Sequence, residues 1–514
     1  MKKITVLFSV LLFLIIRTLN AQNRYDYLIF PDTTKRIIIV SAKDSIGKTS
    51  LLSGVTKEIN EEFNKKILRE LNFSYHQSII RLNQCSRNIS GNTKGPNVLY
   101  LSNNEGGFPR HGIAIQEDNN FIEYPYLNYV DLVVWDEMFK DGALSIYSHE
   151  AGHVMMNNIW HNFPAQISRK QHVSMGVTDY YKAFIEGWGI HFQRLAYENV
   201  PLYQTDFKKT NDYYEISKLW HSNIDESLRI QAVLNNGYIF QKLLPQNISL
   251  DTLSQEDIIL SEHTSPIFDF TRLKNAQQML SCEGVIATIF YKINSDSILQ
   301  TCYQNNKFYE NFLLSHIPAG VEPHNIFTPF ENVILKSFWV WNQIQNMDFQ
   351  RNQILIEFIK EWCNSFPEDK DEIIKLFLTV TIGKTVKNEP GEIFEKMSWS
   401  GNIGNYYQFK KIRQVYIQTM NVLKKEVVAD PTYLGKNIGP ELWIENPLVM
   451  VRVTLWDDRV KEPLLININT AAVFEIASFE GFDLVKAEKL IKKRDELGYF
   501  NSFEEAVKYG FVFK

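Results

Sequence analysis

The chain has 514 residues, 45% hydrophobic and 22% charged, with a formal net charge of -5. That length exceeds one small core and points to two or three domains, and the composition excludes wholesale disorder. The mild acidity excludes a polyanion-binding surface spread over the whole molecule and leaves room only for local basic patches.

Lys2 and Lys3 precede an apolar run over residues 6–16, and Leu19-Asn20-Ala21 places small residues before Gln22. This is the layout of a secretory signal peptide, residues 1–21, cut after Ala21. The run is too short to span a bilayer, and no later apolar stretch is long enough to do so. An exported chain is therefore expected, periplasmic or extracellular, with no membrane span after cleavage. The four cysteines, Cys85, Cys282, Cys302 and Cys363, form no C-x-x-C pair, which argues against a thiolate zinc site. Cys282 and Cys302 are the nearest pair in sequence, and whether they bond is open at this stage.

Residues 36–41 (RIIIVS), 98–101 and 129–134 read as short buried strands, with the turn-forming run Asn103-Asn104-Glu105-Gly106-Gly107 among them. From residue 141 the pattern becomes helical: Ala143, Leu144, Tyr147, Ala151, Val154 and Met155 recur at spacings of three and four. Helical patterns continue over 178–199, 217–244, 273–293, 351–365 and 371–378, while 442–456 is extended in character. The fold expected is mainly α (α+β). A mixed N-terminal part (22–140) belongs to the catalytic unit and precedes a helical domain (141–440). An extended connector (441–463) and a compact C-terminal unit (464–514) complete the chain.

Ser148-His149-Glu150-Ala151-Gly152-His153 contains H-E-x-x-H. On a helix, residues four apart share a face, so His149 and His153 can reach one ion, with Glu150 beside it as general base. Zinc at such a site acidifies water, and the carboxylate takes the proton. For the third ligand, a metzincin would require Gly at 156 and His at 159, where this chain has Met156 and Ile159. His161 and His172 lie in a loop-like stretch and stay open as alternatives. Glu186 is better placed, in the helical segment 178–199, which opens on Thr178 as a cap candidate and Asp179 at the positive end of the dipole. Gly187 and Gly189 beside it remove bulk where helices and an ion must approach closely. His191, five residues past Glu186, is rotated off that face and reads either as a support behind the metal ligands or as structural.

H-E-x-x-H followed by a helical Glu resembles the gluzincin pattern, shared by thermolysin and the aminopeptidase N family. Tyr181 to Ala196 (YKAFIEGWGIHFQRLA) looks closer to a helical bacterial family of zinc-peptidase-like proteins with an E-G-W-A-L-Y motif. That family is related in style to carboxypeptidase Taq and the oligopeptidases. Leu228 to Tyr238 (LRIQAVLNNGY) resembles that family's next helix. Two departures stand out: the histidine motif lacks the family's inserted proline, and Gly189 and His191 replace the motif's Ala and Tyr. The resemblance covers residues 141 to 240 and implies Zn2+ held by His149, His153 and Glu186, Glu150 as base, and a zincin-like helical domain acting on a peptide or protein. A donor for the developing oxyanion is also required, with Tyr238, His221 and Arg229 as candidates. The Glu105-Gly106-Gly107 turn and the segment after it are expected as an edge strand able to pair with a peptide, and Glu105 is a candidate acid for holding a substrate amino terminus.

Ile466-Asn467-Ile468-Asn469-Thr470-Ala471 opens a segment closing on Gly498-Tyr499-Phe500-Asn501-Ser502-Phe503. This resembles the helix-hairpin-helix domain of competence-type DNA receptors, with Asn469 or Thr470 as the cap of its first helix. Such hairpins hold a DNA phosphate on a G-x-G turn with help from lysines, which would assign Gly481 and Lys486 to nucleic acid. Here the second glycine is Asp483, a negative charge where phosphate would sit, so a docking module without DNA contact is favoured. Two readings result: an exported zinc metallopeptidase, or an extracytoplasmic DNA-binding or protein-docking protein with an inactive peptidase-like domain. The intact Glu150 favours the first.

Overall fold

The computed structural model describes residues 24–43, 52–56, 61–103, 106–117, 120–140, 142–170, 172, 174–203, 232–242, 268–349, 353–452 and 459–513. Residues 1–21, expected as a signal peptide, Glu105, His221, Arg229 and most of the helical expectation at 217–244 lie outside them. The chain is mainly helical with some strands. It divides into two compact units, one of Met1–Phe163, Phe192–Thr205 and Ile293–Asn346, the other of Pro164–His191, Asp206–Lys292 and Met347–Lys514.

In the first unit, strands β1 (Ile37–Ala42), β2 (Leu52–Val55), β3 (Asn97–Leu101), β4 (Phe108–Glu117) and β5 (Asn120–Leu132) close into a barrel of order β1-β2-β4-β5-β3. Parallel pairing of β1 with β3 completes the ring. Val40, Val98, Tyr100, Ile113, Ile115, Leu127 and Tyr129 fill its interior. β4 lies between β2 and β5 over Ile113–Gln116, so the edge-strand expectation is corrected for that part; over residues 108–111 it pairs with β5. Gly106 is pressed against β5, where an added Cβ would stand 2.4 Å from the Val133 nitrogen.

Helices α1 (Glu61–Leu71), α2 (Ser74–Ile89) and α3 (Tyr147–Ile159) belong to the same unit. Buried polar groups fix α3 at both ends. At its entrance the Glu70 carboxylate accepts from the N–H groups of Ala143 (3.1 Å) and Leu144 (3.0 Å) and from the Tyr203 hydroxyl (2.7 Å). Toward its exit the Asn158 amide donates to Asn83 and Ser86 on α2, both at 2.9 Å, and accepts from Asn128 on β5. A satisfied network of this kind specifies one orientation of the helix.

Helix α4 (Tyr180–Asn199) is continuous, its residues up to His191 counted with the second unit and the remainder with the first. Its start corrects the capping expectation. Asp179, not Thr178, is the cap: one carboxylate oxygen accepts from Tyr181 and Lys182 N–H at 2.8 Å, the other from Ile167 and Ser168 N–H. Thr178 turns its hydroxyl to the Ser281 carbonyl.

The second unit holds β6 (Phe240–Lys242) and β7 (Phe268–Leu273), then α5 (Ala276–Leu280) and α6 (Glu283–Ser295). The helical expectation at 273–293 is therefore broken at Ser281-Cys282, where Val177 bridges to Cys282. The end of the 217–244 expectation is a 3-10 turn followed by β6. Helices α7 (Ile354–Ser365), α8 (Lys370–Thr381), α9 (Glu389–Asn402) and α10 (Tyr406–Ala429) come next, and the first two match the expected helical segments at 351–365 and 371–378. β8 (Trp443–Arg452) and β9 (Lys461–Asn467) form a hairpin before α11 (Val473–Ala477), α12 (Leu484–Leu497) and α13 (Phe503–Lys508). Leu442, Val449 and Val451 share one core with Ile468, Leu490 and Phe500, so the hairpin packs with the C-terminal helices instead of standing apart as a connector. All four cysteines are free thiols. Among the described residues, no helix is long and apolar enough to cross a membrane.

Candidate metal centre

The H-E-x-x-H residues lie on α3, where one helical turn brings the two imidazoles together: Nε2 of His149 and Nε2 of His153 are 3.0 Å apart. Ligand atoms of His149, His153 and Glu186 all lie within 4.8 Å of one another. His153 is buried, and His149 and Glu186 are half-buried. The set of two nitrogens and one carboxylate oxygen fits a divalent ion, since zinc takes imidazole nitrogen at about 2.0–2.1 Å and carboxylate oxygen at about the same distance. Two Nε2 atoms this close cannot both carry a proton toward each other, so the pair suits a cation that both lone pairs reach. Glu150, one residue past the first imidazole, is buried.

Gly187 fulfils the expectation of close approach. An added Cβ would stand 2.6 Å from Ile286 Cβ and 2.8 Å from the Glu283 carbonyl, so only glycine lets α4 lie this close to α6. The contact places two groups near Glu186. His172 Nδ1 is 3.7 Å from Glu186 and 3.6 Å from Glu283. Burial would lower the His172 pKa, but the bond and charge of Glu283 and the charge of Glu186 raise it to about 9. Burial is also the main cause that lifts the Glu283 carboxyl above its usual range, against the pull of His172.

His172, one of the alternative third ligands, is thus the neighbour of Glu186 rather than a member of the three-atom group. Glu283 escaped the reading of the sequence altogether. Its one signal is an acidic residue heading the otherwise apolar run Gly284-Val285-Ile286-Ala287. His191 is fully buried, its Nδ1 meets the Trp188 carbonyl, and it packs on Trp188 and Phe290. Tyr238 is fully buried, with its ring against Phe268 and over Gly284.

In the C-terminal segment, Asp483 caps α12 by accepting from the Lys486 N–H at 2.7 Å. Lys486 Nζ donates to the Gly481 carbonyl and stands over the Phe482 ring. Neither Asn469 nor Thr470 caps α11, whose N-cap is Ala472. Asn469 instead bonds Pro440 and Phe500, and Thr470 bonds the Asn467 carbonyl, so both amide and hydroxyl tie the loop rather than the helix. Arg494 is buried and donates to the carbonyls of Ile468 and Ala471.

No protein-family model matches the chain, and no curated protein or solved structure matches it significantly.

Proposed function

We propose that the protein is an exported zinc metallopeptidase of gluzincin type, with His149, His153 and Glu186 as metal ligands and Glu150 as general base. The observation that carries this reading is the convergence of those three ligand atoms, with Glu150 next in sequence to His149 on the same helix. When bound, the ion supplies Lewis acidity that acidifies water and polarises a peptide carbonyl. Glu150 accepts the proton of the attacking water and passes it to the leaving amine. Glu70 holds the start of the helix that carries His149, Glu150 and His153, and Asp179 the start of the helix that carries Glu186. The region is read as a zincin-like helical domain and the C-terminal segment as a helix-hairpin-helix module.

That module is read as a docking unit. Asp483 already occupies the helix N-terminus that a phosphate would need, and Lys486 is committed to Gly481.

Metal content by mass spectrometry of the purified protein tests the reading. About one zinc per chain is expected, lost in His149→Ala and Glu186→Ala. Glu150→Gln should keep the zinc and lose at least about 100-fold in kcat on a quenched-fluorescence peptide library. A wild-type chain that neither contains nor takes up zinc would overturn the proposal.

A further inference from the structure

In the second unit, one cavity is lined by more positive than negative side chains among the described residues. Its volume is about 120 Å³, and it is lined by Lys170, Arg272, Lys274, Arg494 and Glu475, with Val177 and Ile491 among its apolar lining residues. The cations are not equivalent. Lys170 Nζ pairs with Glu475 at 2.8 Å. Arg494 donates to two carbonyls and to Asp495 at 3.2 Å, and Arg272 is 3.8 Å from the same Asp495. Lys274 is 2% exposed, and its ammonium donates to the carbonyls of Tyr238 and Phe240 at 2.7 and 2.6 Å. It forms no ion pair among the described residues. Four cations thus meet two carboxylates, Glu475 and Asp495.

An ammonium buried without an acidic partner is costly, and a chain that keeps one has either a structural need or a ligand for it. Structure alone needs no charge here, because a neutral donor would satisfy the two carbonyls. An ammonium has three protons; two carbonyls account for two of them, and the face of the Phe268 ring, 5.6 Å from the nitrogen, supplies no full negative charge. Arg272, by contrast, is 60% exposed at the side chain, where it can meet an incoming ligand. The limited volume admits a small head group and excludes a peptide segment.

We propose that this cavity binds a compact organic anion, its carboxylate or phosphate group held by Lys274 and Arg272 and its hydrocarbon part set against Val177 and Ile491. Burial lowers the pKa of the Lys274 ammonium, and an adjacent anion would restore it. The site uses none of the proposed zinc ligands, so it stands or falls independently of the peptidase reading.

Calorimetric titration and thermal melts of the full-length protein with inorganic phosphate and, separately, with succinate test the proposal. At least one anion at about 5 mM should give saturable heat and raise Tm by about 2 °C or more. Lys274→Met should abolish the response, and Arg272→Ala should weaken it by about tenfold or more. A response to phosphate alone identifies a phosphate-bearing ligand, and a response to succinate alone a carboxylic acid. No heat from either anion overturns the proposal, as does a response that Lys274→Met leaves intact. Should Lys274→Met fail to fold, Arg272→Ala decides, and unchanged affinity in that variant is equally fatal.

Discussion

Arg81 and Lys274 are both buried cations, one in each unit, and their surroundings differ in kind. Arg81 donates to Glu331 at 2.9 Å, to Asp26 and to the Ile326 carbonyl, tying the first turn of the described chain to α2 and to the helix Pro329–Ile344. Lys274 meets two carbonyls and the face of the Phe268 ring, with no carboxylate among the described residues. A buried charge with a complete set of partners acts as a strut, whereas one lacking an acidic partner marks a place where the fold is tuned for something besides stability.

Matched substitutions separate the two. Arg81→Met leaves the Glu331 carboxylate without its cation and Asp26 with Arg36 alone, and should cost about 3–5 kcal/mol in urea-induced unfolding. Asp179→Ala removes an acceptor of four N–H groups at the head of α4. It should cost about 2 kcal/mol and weaken zinc uptake about tenfold, read by competition with a chelator. Lys274→Met, the same change as at Arg81, takes a donor from the Tyr238 and Phe240 carbonyls but strands no carboxylate, and should cost about 1–2 kcal/mol, well below the loss at Arg81. A large loss there would make Lys274 a strut like Arg81 and erase the contrast.

The smallest effect is expected at Glu441, whose pKa is pushed up to about 7 by burial first and by the charge of Asp179 second. The folded state then holds that proton more tightly than the unfolded chain, so stability falls as pH rises from about 5 to about 7. Glu441→Gln should raise Tm by about 2 °C at pH 8, leave it unchanged at pH 5, and flatten the slope between. Parallel profiles for the two proteins would reject the assignment.

The features legible in the sequence are the ones whose signals are local. The apolar spacing around His149 and the H-E-x-x-H motif are properties of a single helical turn, and α3 is where they place it. The strands at 36–41 and 98–101 were readable as buried apolar runs, but barrel closure depends on β1 pairing with β3 across some sixty residues, which no local pattern encodes. Glu283 was missed for a similar reason: its meeting with His172 depends on Gly187 admitting α6, a tertiary contact. Asn469 and Thr470 look like caps by composition, yet the loop needed their hydrogen bonds more than α11 did. Tertiary demand overrode local preference there.

Barrel closure also has a temporal consequence. β1 is made early, but its parallel partner β3 ends at Leu101, and the ring is complete only when β5 has been made as far as Leu132. At synthesis rates of about 5–20 residues per second, the Ile37-Ile38-Ile39-Val40 strand waits roughly 5–20 s without its full set of neighbours. During that interval a sticky apolar strand with open edges is exposed to other chains. The N-terminal third of the protein is therefore where slow folding and self-association should concentrate.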